Sequence, residues 1–233
     1  MKENNIDISE RILFEDNHLI IVNKLPSEIV QGDKTGDEPL SETVKKYIAK
    51  KYNKPGEVFL GVIHRLDRPV SGAVAFARTS KALTRMNELL KERKLEKTYW
   101  AVVKNPPPMQ TDHLVHYLKR NTEKNKSFAL KQPSADAQKA ELIYELIAHS
   151  DQYYLLKINL LTGRHHQIRC QLSAIGCPIK GDLKYGYPRS NNNASIHLHS
   201  VDLKFIHPVK NELVHVVARP PSDPLWDYFL NQF

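Results

Sequence analysis

Short apolar runs bounded by polar turns recur along this chain and outnumber the stretches with helical periodicity, which constrains the fold more than any other feature. Ile12-Leu13-Phe14 and His18 through Val22 read as two strands around a turn at Glu15-Asp16-Asn17, ended by Pro26. Further β runs fall at 59–63, 73–77, 99–103 (stopped by prolines 106–108), 143–148, 153–161, 197–205 and 213–217. Helical spacing is confined to four places: 41–52, with Ser41 as its cap, Leu83 to Leu90, 166–175 closed by Gly176, and a short segment around Trp226 and Phe229. The segment 119–139 reads as a basic loop. Helices do not follow each strand in turn, so a doubly wound parallel sheet is disfavoured and an α+β fold with a mixed, mostly antiparallel sheet is expected. With no repeat, low-complexity tract or Gly/Ser linker to mark a cut, the expectation is a leader at 1–10 and one catalytic domain at 11–233.

Composition narrows the partners. At 41% hydrophobic and 26% charged residues, the chain is neither disordered nor collagen-like. Its net charge is +8, but unevenly spread: residues 1–40 hold four basic and nine acidic side chains, leaving a body of net +13. A basic body points to a polyanion, with 119–139, Lys180 and Lys184 as phosphate contacts. Cys170 and Cys177 are too few for a disulfide framework and fit a reducing cytosol. No apolar run approaches the roughly 20 residues that span a bilayer, so no membrane partner and a cytoplasmic location are expected.

Two clusters carry the chemistry. His64-Arg65-Leu66-Asp67-Arg68-Pro69-Val70-Ser71-Gly72 lies between two β runs in a sharply shaped loop. A guanidinium beside Asp67 would keep that carboxylate ionised, fit to act as a nucleophile or base; the same residues also suit a loop whose Asp and Arg simply pair. The second cluster, Thr162-Gly163-Arg164-His165-His166-Gln167-Ile168-Arg169, joins a strand to a helix and suits either a phosphate or a solvated helix end. Between them, alternation sets Lys97 and Tyr99 on one strand face and Thr98 and Trp100 on the other. The His and Cys spacings match no usual zinc ligand pairs, so no metal is expected.

In this order, the segments resemble the RluA family of pseudouridine synthases. His64-Arg65-Leu66-Asp67 with Ser71-Gly72 is similar to that family's catalytic-aspartate loop, and Lys97-Thr98-Tyr99 to its tyrosine strand. Gly163 through Arg169 is similar to its third motif, and Pro178-Ile179, Gly181-Asp182 and Tyr185-Gly186 to the loop that follows. The resemblance runs from about residue 11 to the C-terminus. It implies isomerisation of a uridine in rRNA or a tRNA stem-loop without cofactor or metal; separately, one domain of this size can fold as a monomer. Asp67 would be the catalytic carboxylate, Arg169 its partner, and Tyr99 the residue that stacks on the base and assists proton removal. Arg65 would hold the flipped nucleotide or fill its place, and Arg68, Lys97, Arg164, His166, Gln167, Lys180 and Lys184 would contact RNA.

The chemistry suits these types. An oxocarbenium-like ribose needs a negative charge nearby, from electrostatics or covalent attack, although a route through a glycal fits equally. Re-attachment through carbon five leaves a proton for a phenol to accept or relay, and a base inside a helix must be flipped out. The chain departs from the family pattern at Val70, at His165 and at Lys24-Leu25-Pro26-Ser27. The ten residues before the first strand leave no room for an accessory RNA-binding domain, so the catalytic domain is expected to position the RNA alone. Two alternatives remain: an inactive RNA-binding relative acting as an assembly factor, and a nucleic-acid hydrolase using Asp67.

Overall fold

The computed structural model describes residues 6–233. The first five residues of the expected leader lie outside the described residues; the rest of it runs into a 3₁₀ turn at Ile8–Arg11. Then follow β1 (Ile12–Glu15), β2 (Leu19–Lys24), α1 (Leu40–Lys51), β3 (Gly61–Val62), β4 (Ser71–Ala77) and α2 (Ser80–Lys91). Five strands come next: β5 (Glu96–Val103), β6 (Thr111–Asn121), β7 (Lys126–Leu130), β8 (Ala137–His149) and β9 (Tyr154–Leu160). The chain ends with α3 (Gln167–Ala174), β10 (Leu198–Ile206), β11 (Leu213–Val217) and α4 (Pro224–Leu230). The α+β expectation, with strands dominant and pairing mostly antiparallel, holds.

The chain forms two compact units, one built from residues up to Leu95 with Asp202–Arg219, the other from Glu96–Val201 with Pro220–Phe233. Each unit draws on two separated stretches, and one crossing falls inside β10. A composition scan for linkers has nothing to find there, because the chain crosses in regular structure rather than in a flexible segment.

In the first unit β2 pairs antiparallel with β1 and β4, and β3 also pairs with β4. Every residue of β4 is buried, which is why it reads as an unbroken apolar run without alternation. Its small residues Ala73, Ala75 and Ala77 let Ala82 and Met86 of α2 pack close to the sheet. Thr79 caps α2 by accepting from the Ala82 N–H at 3.1 Å. Ser41 is not the cap of α1: the helix starts at Leu40, and Ser41 lies buried in its first turn. The N–H groups of Leu40 and Ser41 instead donate to the carbonyls of Ile29 and Val30, so tertiary backbone bonds do the work of a cap.

In the second unit the strand order is β5-β9-β8-β6-β7, antiparallel throughout. The segment read as a basic loop is instead the end of β6, the whole of β7 and the start of β8. One face of this sheet is solvated, so lysines stand where apolar alternation would have revealed the strands. On the other face α3 packs through Cys170 onto Leu118 and Ala140. The opposite side of β5 is covered by α4, whose Trp226 and Phe229 pack on Val102 and Leu155. Asp223 caps α4, accepting from the N–H groups of Leu225 and Trp226 at 2.9 Å each. Phe229 has no exposed surface, so Phe229→Ala is expected to cost about 3–5 kcal/mol, measurable as a lowered urea midpoint.

Candidate active site

Asp67 sits on the loop between β3 and β4 of the first unit, half-buried between exposed Arg65 and half-buried Arg68. Its carbonyl accepts from the Val70 N–H at 3.0 Å, closing a turn over Arg68-Pro69. Gly72, two residues further on, has φ of 116°, a conformation that favours glycine. Beneath the loop lies Lys24, fully buried. Its ammonium donates to the carbonyls of Leu25 (3.0 Å), Arg68 (3.1 Å) and Val70 (2.6 Å), clasping both sides of Pro69. Burial pushes its pKa down to about 7 against the opposing pull of Glu28 and Asp67. The Ser27 N–H adds a bond to the Arg68 carbonyl at 2.9 Å. Glu28 accepts from the Leu25 N–H and is gripped by both bonds of Arg11, so the segment below the loop is itself braced.

Arg68 is engaged by the acidic segment near the N-terminus. Its guanidinium donates to Thr35 at 2.8 Å and to Asp37 at 2.5 Å, with Asp33 at 4.0 Å. Part of the acidic excess of residues 1–40 thus meets the loop that bears Asp67. His64 is turned inward, its Nε2 accepting from the Ala75 N–H at 3.2 Å.

In the second unit, Arg169 is buried on α3 and bonded at both ends to Asp182, Nε to Oδ2 at 2.7 Å and Nη2 to Oδ1 at 2.9 Å. Such a fork fixes the plane of the guanidinium as well as its position. Tyr185 lies against it, 5.1 Å from ring centroid to guanidinium carbon. The Ser127 N–H donates to the Tyr185 hydroxyl at 2.8 Å, and burial pushes the phenol up to about 12. Nδ1 of His166 lies within hydrogen-bond distance of the same hydroxyl, 3.1 Å away. His166 precedes α3 in a left-handed conformation, φ 52°, and its ring stacks on His165 at 3.8 Å. The turn carrying Asp182 depends on Gly181: φ is 88°, and a Cβ there would stand 2.8 Å from the Ser195 carbonyl oxygen.

Tyr99 is buried on β5, opposite Ile158 of β9, which in turn faces Tyr144 of β8. This row shares its face with Ala140, so Tyr99 points to the side of the sheet that carries α3. Trp100 points the other way, with its ring 5.8 Å from that of Phe233. The alternation read from 97–100 is the one observed. Lys97 is half-buried near Gly163, and burial pulls its ammonium below the usual range.

The remaining expected contacts divide by exposure. Arg164 and Lys184 are exposed, donating to the carbonyls of Lys139 and Asn125. Lys180 is half-buried and donates to Asn191 at 2.9 Å. Gln167 is buried, with both ends of its amide used: Oε1 accepts from Thr162 and the Arg164 N–H, and Nε2 donates to the Glu141 carbonyl. Gln167 thereby pins the turn before α3 to the sheet. His197 and His199 both lie against Trp226, at 5.3 and 6.1 Å. Among the described residues no group of three or more His, Cys, Asp or Glu side chains is arranged to hold a metal ion. No described helix is long and apolar enough to cross a membrane.

The model of the family described as RNA pseudouridylate synthase matches residues 18–174, a span that includes Asp67, Tyr99 and Arg169. The chain belongs to this family. It is therefore an isomerase that acts on RNA. It is 30% identical over 228 residues to ribosomal large subunit pseudouridine synthase D of Zymomonas mobilis subsp. mobilis, covering 93% of this chain and 71% of that protein. To ribosomal large subunit pseudouridine synthase C of Buchnera aphidicola subsp. Schizaphis graminum it is 31% identical, covering 97% and 71%. To tRNA pseudouridine synthase C of Vibrio parahaemolyticus it is 28% identical, covering 95% and 94%. The solved structure of human RNA pseudouridylate synthase domain containing 4 shares the fold at a TM-score of 0.78, with 21% identity and coverage of 97% and 93%.

Sequence reading gave no role to Lys24, Asp182 or Tyr185. Asp182 and Tyr185 lay within the quoted motifs, and Lys24 in a segment noted only for departing from the pattern. Asp182→Asn is expected to leave Arg169 short of charge compensation, costing about 3 kcal/mol by urea denaturation and lowering isomerisation. For Lys24, the unfolded chain binds more protons between about pH 7 and 10.5, so its burial penalty is full below that window and fades as pH rises. The stability of wild type minus that of Lys24→Met should therefore increase from pH 7 to 10.5 in denaturation experiments.

Proposed function

We propose that this enzyme converts specific uridines in structured RNA, rRNA or a tRNA stem-loop, to pseudouridine by base flipping, without metal or cofactor. In this reading Asp67 is the catalytic carboxylate, Arg169 its partner, and Tyr99 stacks on the base and takes part in removing the proton from carbon five. Arg65, exposed beside Asp67, holds the flipped nucleotide or fills the space it leaves. The two compact units constitute one catalytic domain, and the enzyme acts as a cytoplasmic monomer. The single observation that carries the reading is the family match, whose span covers all three residues.

The braced surroundings of these groups support it. Charge stabilisation at a developing oxocarbenium works best when the charge is already in place and needs no reorganisation. The Lys24 clasp holds the backbone on either side of Pro69, next to Asp67, and the Asp182 fork holds Arg169. Isomerisation replaces the carbon-five hydrogen with the glycosidic bond, so tritium placed there passes to water while RNA length and mass are otherwise kept. The test uses RNA from cells lacking this gene, labelled at carbon five of uridine. Wild type should release tritium, and Asp67→Ala should slow release by at least about a hundredfold while still binding RNA. Full activity in Asp67→Ala, or no release by wild type on rRNA and tRNA, would refute the proposal.

A further inference from the structure

The three-stranded part of the second unit's sheet, β7-β6-β8, carries a solvent face that the proposed chemistry does not use. The register sets Lys119 opposite both Phe128 and Ala137, and Tyr117 opposite both Leu130 and Lys139. Leu118, Ala129 and Ala140, on alternate positions, pack with Cys170 of α3. Tyr117, Lys119, Phe128 and Lys139 therefore stand on the face turned away from that helix, while Lys126, on the outermost strand, also reaches the Tyr185 ring, 5.1 Å from its centroid. Phe128 is 43% exposed on β7, the last strand of the order, although a large aromatic in such a place gains nothing from the core. The Lys126 ammonium stands 5.7 Å from its ring centroid.

The charges around the ring are available. Lys119 pairs with Asp136 at 3.1 Å, both more than half exposed, and Lys139 pairs with Glu141 at 2.7 Å, the lysine 53% exposed. An exposed pair such as Lys119–Asp136 contributes little to stability and exchanges readily for a phosphate, whereas Glu141 is largely buried. Lysines interleaved with an exposed aromatic ring on a flat strand surface match the chemistry of unpaired nucleotides. The ring stacks on a base and the ammonium groups meet the backbone on either side. A regular duplex keeps its bases stacked on each other and offers no free face to the ring.

We infer that the outer face of β6, β7 and β8, centred on Phe128 and flanked by Lys119 and Lys126, is a stacking platform for unpaired nucleotides of the RNA substrate. The inference rests on the RNA-modifying reading above, and deepens it by naming single-stranded RNA as what this face recognises. It gives a chain with this basic strand pair a grip on RNA apart from Asp67, Tyr99 and Arg169.

The test measures binding of a ten-nucleotide oligouridylate and of a duplex RNA of the same length to the full chain. Phe128→Ala should weaken oligouridylate binding about tenfold and leave duplex binding unchanged, while Phe128→Tyr restores it. Phe128→Trp adds a reporter: the extra fluorescence over wild type should be quenched by the oligouridylate and not by the duplex. A melting midpoint within error of wild type identifies a lost contact rather than a lost fold. Unchanged oligouridylate affinity in Phe128→Ala, or equal loss for the duplex, overturns the platform; the former is the result expected if the face instead takes an acidic protein. Tritium release by wild type, followed in parallel, separates the two failures. Release with unaltered Phe128→Ala binding sinks only the platform, whereas its absence sinks the functional reading whatever the binding shows.

Discussion

The buried fork between Arg169 and Asp182 is the interaction on which the second unit's site depends. Burying a guanidinium is costly unless a carboxylate meets it with good geometry, and Asp182 does so with both oxygens. To stand there, Asp182 needs a turn that only Gly181 permits, against Asn191 and the Ser195 carbonyl. Asp182 in turn accepts from the N–H groups of Tyr185 and Tyr187 through its carbonyl, which brings the Tyr185 ring under Arg169. Tyr185 then organises Ser127 and His166. One ion pair thus ties helix, loop and hairpin together.

The first unit solves the same problem with a different cation. Lys24 has no carboxylate in contact among its bonds; three carbonyls hold its ammonium, two of them flanking Pro69 of the Asp67 loop. Both units therefore place a buried cation beside a functional segment and let it set backbone or side-chain geometry. Rigid, prepaid electrostatics of this sort are what a charge-stabilised reaction requires. Surface charge serves differently. Arg164 and Lys184 are exposed, each with a bond to a backbone carbonyl. Gln167, taken from sequence as an RNA contact, spends its amide on the protein.

How much was legible follows from the range of the interactions. The Asp67 loop was readable because its turn residues are adjacent in sequence, and the Lys97–Trp100 face because alternation is local. Ser41 was misplaced as a cap because the bonds that start α1 come from Ile29 and Val30, outside its own turn. The β6-β7 hairpin was missed because its solvent face carries lysines and its inner face presents only Leu118, Ala129 and small neighbours.

The sequence by itself determined the α+β class, the order of the functional segments and the family, since these rest on local periodicity and on residue types in fixed order. Tertiary structure alone decided which charges are spent inside the protein and which stand exposed. Lys24 and Lys126 are the same side chain in sequence. One is buried under three carbonyls, two of them 44 and 46 residues along the chain, and the other stands between the rings of Phe128 and Tyr185. Burial and partner set what a charge can do, and both are properties of the folded chain.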